Sequence, residues 1–435
     1  MPKKTKEWPE FTKEMKKDYT ILIPNMSTIH FELFKNVFIS SGYKVELLVT
    51  TGQHIIDEGL KYVHNDTCYP ALLCIGQFMD ALHSGKYDLN KTALIMTQTG
   101  GGCRASNYIH LLRKALLKDG LGHIPVISLS VTGLEKNPGF RITLPFLRRS
   151  IAAITYGDLL MLLSNQTRPY EIEAGATDAL ISYWVDRLSE MFARERAYSK
   201  REMAIWMPRV VETFSAIERI KTDKIKVGIV GEIYVKYSPL ANNHLEKLLQ
   251  EQGCEVMVPG LMGFLLYCTA NPVEDIRLYG GSRIKMKFLN SAYNFLAGYE
   301  DLLINAVKAH GEFIAPWPNR LLHERGKEVI GVGCKMGEGW LLTAEMLELI
   351  EHGYSNIVCT QPFGCLPNHI VGKGMIRKMR GIYEDSNIVA IDYDPGATRV
   401  NQENRIKLML AVAADKIGDK ISDNLEERVM ETVSA

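Results

Sequence analysis

The chain has 435 residues, of which 46% are hydrophobic and 23% charged, with a formal net charge of +1. This length predicts two or three domains with substantial apolar cores. The near-neutral charge argues against a nucleic-acid surface or an anionic membrane as the main partner, and the 9% aromatic content excludes a disordered chain. Since no apolar run approaches the roughly 18 residues of a membrane helix, the sequence predicts a soluble globular protein.

The start of the chain and the cysteine usage indicate the compartment. The basic residues 1–17 are followed by the apolar run Ile21–Pro24, which is too short for the core of a signal peptide. We therefore expect a cytoplasmic protein, in which the eight cysteines are thiols or metal ligands rather than disulfides. No CxxC pair and no HExxH motif occurs, so the sequence does not support a zinc ribbon or a thioredoxin-like site.

The first part of the chain alternates short apolar strands with helices, an order that is typical of a parallel, doubly wound sheet. The predicted strands are Tyr19–Ile23, Lys44–Val49, Ala93–Gln98 and Ile124–Ser130. Helices are predicted from after Asn25–Ser27 to about Ser41, over Tyr69–Ser84 and from Arg104 to Lys118. We assign residues 18–143 to a first α/β domain.

A helical connector follows at residues 144–222, and the strand–helix alternation then restarts in a second α/β domain at residues 223–415. Its predicted strands are Ile225–Val230, Glu255–Val258, Val329–Val332, Asn356–Thr360 and Ile388–Asp392. Its predicted helices are His244–Gln252, Arg283–His310, Trp340–His352 and His369–Arg380. Residues 416–435 are assigned to a C-terminal tail.

Two loops share one pattern, in which a strand ends in Thr-Gln, a turn follows and a Gly-Cys pair opens a helix: Thr97–Cys103 and Thr360–Cys365. A cysteine at a helix N-terminus lies near free backbone N–H groups, which lowers the pKa of the thiol and favours the thiolate that binds iron. Cys68 fits the same description, because Pro70 suits the first turn of the following helix. A sulfur-only ligand set favours an iron–sulfur cluster over zinc, and the alternative is that these cysteines are small buried residues.

Two further cysteines are candidate ligands. Cys359 lies on the strand before the second loop, and Cys334 opens the glycine-rich run Gly333–Gly339. Core packing is the alternative for Cys359, and a tight turn is the alternative for Cys334. The other three thiols are assigned to core or structural positions: Cys74, Cys254 and Cys268.

The glycine-rich stretches do not complete a nucleotide-binding motif. Gly331-Val332-Gly333 lacks the rest of a GxGxxG turn. Gly372-Lys373-Gly374 has no Ser or Thr after the lysine, and Pro367 stands where a P-loop needs glycine. We therefore expect that any ATP involved is bound by another protein.

Several polar residues follow predicted strands, where ligands bind in open α/β sheets. Each either positions a substrate or a proton, or caps a helix or turn. They are Glu232, Asn242, Asn243, His244, Glu338, Asp392 and Asp394. His64 and His369, each four residues from a candidate cysteine, either support a ligand or flank a helix.

Seven segments together resemble one protein family: GLKYVHNDTCYPALLCIGQFMDAL, TQTGGGCRASNY, GLEKNPGFRITLP, VGIVGEIYVKYSPLANN, MGEGWLLTAEM, QPFGCLPNHIVGKGM and VAIDYDPGATRVNQENRIKLML. The family is that of the 2-hydroxyacyl-CoA dehydratase-related proteins. The chain is most similar to the double-cubane cluster proteins and to the C-terminal module of large acyl-CoA dehydratase activase proteins. The resemblance runs from about Asp18 to Leu410.

The resemblance implies two Rossmann- or flavodoxin-like domains with an oxygen-sensitive iron–sulfur cluster between them. The cluster is expected to be an [8Fe-9S] double cubane, with a [4Fe-4S] cluster as the alternative. Cys68 and Cys103 match the ligands of the first domain, and the third ligand falls on Cys359 or Cys365. The chain departs from the pattern of the fused module at Cys74, Cys254 and Cys334. Of these, the extra thiol of Cys334, in a loop after a predicted strand, is expected to serve a larger cluster.

The expected function is that of a low-potential iron–sulfur reductase acting on a small molecule. The resemblance implies electrons from a separate, ATP-hydrolysing iron–sulfur activator protein, and it implies a homodimer. A 2-hydroxyacyl-CoA dehydratase component is the alternative function, and a non-catalytic electron carrier or binding module is a second. No nucleic acid or membrane is expected as a partner.

Overall fold

The computed structural model describes residues 8–99, 102–129, 135 and 137–433. The first domain contains a four-stranded parallel sheet in the order β2-β1-β3-β4. Its strands are β1 Thr20–Pro24, β2 Lys44–Leu48, β3 Thr92–Thr97 and β4 Val126–Leu129. Its helices are α1 Met15–Asp18, α2 Thr28–Ser40, α3 Gln53–Leu60, α4 Tyr69–His83 and α5 Tyr108–Lys118.

The connector consists of three helices, which are α6 Leu144–Thr167, α7 Ala176–Ala193 and α8 Lys200–Ser215. The second domain repeats the strand order of the first as β6-β5-β7-β8, again all parallel. Its strands are β5 Lys226–Gly231, β6 Glu255–Met257, β7 Asn356–Pro362 and β8 Asn387–Tyr393. Its helices are α9 Ile233–Tyr237, α10 Pro239–Asn242, α11 Leu245–Glu251, α12 Leu261–Tyr279, α13 Arg283–His310, α14 Asn319–Val329, α15 Gly339–Glu351, α16 Leu366–Val371, α17 Ile376–Ile382 and α18 Arg399–Val433.

The predicted α/β class, with two Rossmann- or flavodoxin-like domains, is confirmed. The central strands β1, β5 and β7 are buried along nearly their whole length. Parallel strands covered by helices on both faces need such continuous apolar sequences. In both sheets the first and third strands are neighbours, and the point between them is where chain connections diverge and open a crevice at the carboxyl ends.

A buried polar contact joins the first domain, the connector and the second domain. His30 of α2 is fully buried and its Nε2 lies 2.8 Å from Oδ1 of Asp158 in α6. The Asp158 carboxylate also accepts the N–H groups of Leu261 and Met262, at 2.6 and 2.8 Å, at the start of α12. The close packing depends on Gly157, because a Cβ there would lie 2.4 Å from the His30 ring.

Two details of the predicted second domain are wrong. Residues Val329–Val332 form no strand, because Val329 ends helix α14 and Val332 packs against Trp340 in a small apolar cluster. The predicted helix His369–Arg380 is divided into α16 and α17 by the turn at Gly372, whose φ and ψ are −93° and −88°.

Candidate functional site

The candidate site lies at the carboxyl ends of the two sheets. Cys103 follows β3 of the first domain, whereas Glu232 and Cys365 follow the neighbouring strands β5 and β7 of the second. Residues of both domains meet there, since a Cβ on Gly102 would lie 2.9 Å from Sδ of Met336. The two glycines before Cys103 in the first Gly-Cys loop, residues 100 and 101, lie outside the described residues.

Three of the candidate ligands stand where the sequence predicts them, at the first position before a helix. Cys68 precedes α4, Cys103 precedes a single 3₁₀ turn and Cys365 precedes α16. Backbone N–H groups of the following turn act on each sulfur in the direction that lowers the thiol pKa, those of Ala71 on Cys68, Ala105 on Cys103 and Asn368 on Cys365. The Sγ of Cys68 also lies 2.9 Å from the hydroxyl of the buried Tyr108.

The predicted lowering of the thiol pKa values is wrong for the protein without a bound metal. Burial raises the pKa of Cys68 and of Cys365 to about 12, and it raises the pKa of Cys103 as well. The N–H groups at the helix starts act in the expected direction, but the loss of solvation outweighs them. These thiols are therefore protonated at neutral pH until a metal displaces the proton.

Two buried carboxyl groups, those of Glu232 and Glu338, lie near the candidate thiols. Negative charge on Glu232 contributes to the raised pKa of Cys68, Cys103 and Cys365, so all three lie within its electrostatic reach. Glu338 acts in the same way on Cys103 and Cys365. The structure thus brings two thiols of the first domain and one of the second around the same acidic pair.

Hydrogen bonds fix this acidic pair. Glu232 caps α9, because its Oε2 accepts the N–H of Val235 at 2.8 Å. Glu338 accepts the N–H of Ile233 at 2.9 Å and the amide of Asn368 at 2.6 Å. Burial raises the pKa of both carboxyl groups, and the charge of Glu338 further opposes ionisation of Glu232.

Asn368 is a site residue that sequence reasoning missed. It is fully buried, and its Nδ2 contacts both Oε2 of Glu338 and, at 3.5 Å, Sγ of Cys365. Its Oδ1 has no hydrogen-bond partner among the described residues. Its position three residues after Cys365, on the first turn of a helix, is the signal that could have identified it.

The two other candidate ligands, Cys359 and Cys334, are not at helix starts, although the charge of Glu338 also contributes to the raised pKa of Cys359. Cys359 is fully buried inside β7, and a Cβ on Gly372 would come within 3.0 Å of its sulfur. Cys334 is partly buried, and its carbonyl accepts the N–H of Trp340 at 2.8 Å in the turn that leads into α15. That turn crosses the site, since a Cβ on Gly337 would lie 3.0 Å from Pro367.

The remaining cysteines and histidines are placed as follows. Cys74 and Cys254 are buried in the core, as expected, whereas Cys268 is exposed on α12. The side chain of His64 is exposed near Asp66, and the His369 ring packs edge-on against Phe363. In the described part of the chain, no three His, Cys, Asp or Glu side chains are arranged to hold a single metal ion.

No protein-family model matches the chain, and no curated protein matches it. Among the described residues, no helix combines the length and the apolar character that crossing a membrane requires. The resemblance to the 2-hydroxyacyl-CoA dehydratase-related proteins therefore stays a prediction from the motifs.

Proposed function

We propose that this protein is a cytoplasmic iron–sulfur oxidoreductase whose cluster is held by Cys68, Cys103 and Cys365. The observation that carries this proposal is the grouping of three thiols, from two domains, around the buried pair Glu232 and Glu338. Each thiol precedes a helical turn at the edge of a sheet where α/β proteins bind their ligands.

The residues present fit such a cluster. Thiolates are the soft ligands that iron–sulfur clusters require. Backbone N–H groups near the sulfurs of Cys68, Cys103 and Cys365 already act in the direction that favours thiolate, and polar contacts of this kind stabilise thiolate ligands and tune their potential. A bound cluster would supply one-electron chemistry at low potential. Burial raises the pKa of Glu232 and of Glu338, and in their protonated forms the two groups add no charge to an already anionic cluster.

The polar side chains around the thiols hold and orient protons. The hydroxyl of Tyr108 hydrogen-bonds Cys68, and the amide of Asn368 bridges Cys365 and Glu338. Burial raises the pKa of Glu338, which favours a protonated carboxyl group beside the site. Such a proton is available to a substrate that gains electrons.

We further propose the cluster type, the substrate class and the partners. The cluster is an [8Fe-9S] double cubane, to which Cys334 contributes from the turn that crosses the site, and the substrate is a small molecule. Electrons arrive from a separate, ATP-hydrolysing iron–sulfur activator protein, and the protein works as a homodimer. The support for these points is the motif resemblance together with the incomplete P-loop at Gly372–Gly374.

The test is the iron and acid-labile sulfide content per chain of protein purified without oxygen, recorded with the ultraviolet–visible spectrum. About eight irons per chain are expected for the double cubane. About four irons would replace it with a single cubane and direct assays to 2-hydroxyacyl-CoA thioesters, the alternative function. Protein that contains neither iron nor sulfide, and that binds neither on reconstitution, would overturn the proposal.

A further inference from the structure

One face of helix α15 carries a row of titratable residues that starts at the candidate site. Glu338 stands just before the helix, Glu345 and Glu348 lie within it, and His352 stands just after it. Their spacings of seven, three and four residues place all four on one helical face. The row, which we call the α15 row, spans about 20 Å along the helix axis.

The inner members of the α15 row are buried and held in place. Both oxygens of Glu345 accept hydrogen bonds from Nζ of the buried Lys236, at 3.0 and 3.1 Å. Oε1 of Glu348 accepts the N–H of Trp317 at 2.5 Å. His352 is only half-buried and packs edge-on against the Trp317 ring, so the row leads from solvent to the site.

Charge balance keeps protons on this row. Lys236 is the amine whose positive charge acts on Glu232, Glu338, Glu345 and Glu348 alike. One ammonium neutralises one carboxylate, and further unpaired carboxylates in the interior would be costly. Consistent with this, burial raises the pKa of Glu348 to about 8.

A cavity of about 70 Å³, lined mainly by apolar side chains with several carboxyl groups among them, lies along the row. Glu345, Glu348 and His352 line it, together with Glu300 of α13 and Asp158 of α6. This volume is large enough for several water molecules, and the carboxyl groups offer them hydrogen-bond partners. Water of this kind would connect Glu348 with His352 at the outer end of the row.

We propose that the α15 row conducts protons from solvent at His352 to Glu338, beside the candidate site. The inference rests on the proposed function, because a substrate that accepts electrons at this site also needs protons. The row is built entirely from the second domain, so the domain that supplies Cys365 also supplies the protons.

The relay conserves protons and carries no electrons. When Glu338 gives its proton to the site, the Lys236 ammonium, which is paired with Glu345, supplies a proton to Glu338. Glu348 then supplies a proton to the Lys236 amine and so restores the ion pair. Glu348 regains a proton through cavity water and His352 from solvent. Each transfer breaks one O–H or N–H bond and forms another, so one proton moves inward per cycle. The electrons come from the activator protein.

Other charged groups face the row and set its protonation. Glu300 of α13, whose pKa burial raises to about 8, interacts with Glu348 and with Asp158. Burial lowers the pKa of His352, Lys308 acts in the same direction and Glu351 opposes it. The outer end of the row therefore exchanges protons with solvent through a neutral imidazole at pH 7.

The test measures hydrogen–deuterium exchange of buried carboxyl groups by time-resolved infrared spectroscopy after transfer of the full-length protein into D₂O. Protonated carboxyl groups have a distinct carbonyl band that shifts when the proton is replaced. Glu348→Gln keeps the shape of the side chain and an acceptor for the Trp317 N–H group. We expect it to slow exchange of the remaining inner carboxyl groups about 100-fold, the lower range of what a positioned proton donor contributes.

A control variant separates a relay from a structural effect. Glu328→Gln alters an exposed glutamate of α14, outside the row and its cavity, and should leave the exchange rate of the row unchanged. His352→Phe removes the outer end and should slow exchange as Glu348→Gln does. Circular dichroism and thermal unfolding establish that each variant is folded.

The outcomes distinguish this inference from the proposed function. Equal exchange rates in wild type, Glu348→Gln and His352→Phe would overturn the relay, even in protein that contains iron and sulfide. If Glu348→Gln and His352→Phe slow the exchange in protein that contains no iron, the relay is supported. The iron analysis would then contradict the proposed function independently. In cluster-containing protein, Glu348→Gln should also increase the solvent isotope effect on substrate reduction.

Discussion

The two α/β domains have the same strand order but contribute different groups to the site between them. The first domain contributes Cys68 and Cys103, whereas the second contributes Cys365 with the acids Glu232 and Glu338. Between its second and third strands the second domain also inserts the helices α12–α15. Helix α15 carries Glu338 at its start, so this insertion supplies acid groups that the shared strand order does not provide.

A second comparison concerns the glutamine at the end of the third strand of each sheet. Gln98 accepts a hydrogen bond from the hydroxyl of Ser128 at 2.7 Å, and Gln361 donates one to the carboxylate of Asp392 at 2.5 Å. Both partners lie on the fourth strand of the respective sheet. In both domains a side-chain hydrogen bond therefore links the third and fourth strands next to the cysteine loop. The partner of the glutamine is the neutral Ser128 in the first domain and the charged Asp392 in the second.

The largest effect is expected from the thiols, because a cluster between the domains needs ligands from both. Cys68→Ser, Cys103→Ser and Cys365→Ser should each reduce the iron bound per chain at least about tenfold, as much as losing a supporting contact does. Iron analysis without oxygen is the measurement, and Cys254→Ser, in a buried cysteine away from the site, is the control. If Cys365→Ser retained iron while Cys359→Ser lost it, the second-domain ligand would be Cys359.

The next effect concerns the buried ion pair of the second domain. Lys236→Met leaves Glu345 without its partner in the core, where both side chains are 3% exposed, and should lower the free energy of unfolding by about 3–5 kcal/mol. Denaturant titration measures this loss. The double variant Lys236→Met/Glu345→Met should recover most of the stability. In the first domain, Arg113→Met should cost less, because its partner Glu135 is partly exposed.

An effect of similar size is a pH dependence of stability that arises from the cavity residue Glu300. Burial raises the pKa of Glu300 from 4.5 to about 8, so the folded state holds a proton that the unfolded chain releases across this range. Stability from this group is complete below pH 4.5 and is lost as the pH rises to about 8, by about 1.4 kcal/mol per pH unit. Glu300→Gln should flatten the pH dependence of unfolding, and Asp301→Asn, at its exposed neighbour, should leave it unchanged.

The smallest expected difference separates the two glutamines. Gln361→Leu removes a hydrogen bond to a carboxylate, and Gln98→Leu removes one to a hydroxyl group. Because bonds to charged groups contribute more, Gln361→Leu should destabilise the protein by about 1 kcal/mol more than Gln98→Leu. Paired denaturant titrations test this, and equal losses would show that the two loops are held in the same way.

The sequence by itself predicted the alternation of strands and helices, both parallel sheets and the positions of Cys68, Cys103 and Cys365 at helix starts. These features depend on local patterns of apolar residues, glycine and proline, which act over a few neighbouring residues. The long helix Arg283–His310 was predicted with its observed bounds for the same reason. The strand predicted at Val329–Val332 is wrong, because a short apolar run is equally typical of a strand and of the packed end of a helix.

Only the tertiary structure decided which residues meet. Glu338 lies more than a hundred residues from Ile233, and Asn368 bridges it to Cys365, contacts that no local pattern encodes. The raised pKa values of the thiols also arise from burial by distant segments, which outweighs the helix starts that the sequence revealed. The α15 row depends on both sequence and tertiary structure. The sequence determines the spacing of its residues along the helix, whereas their burial beside Lys236 depends on how the second domain packs.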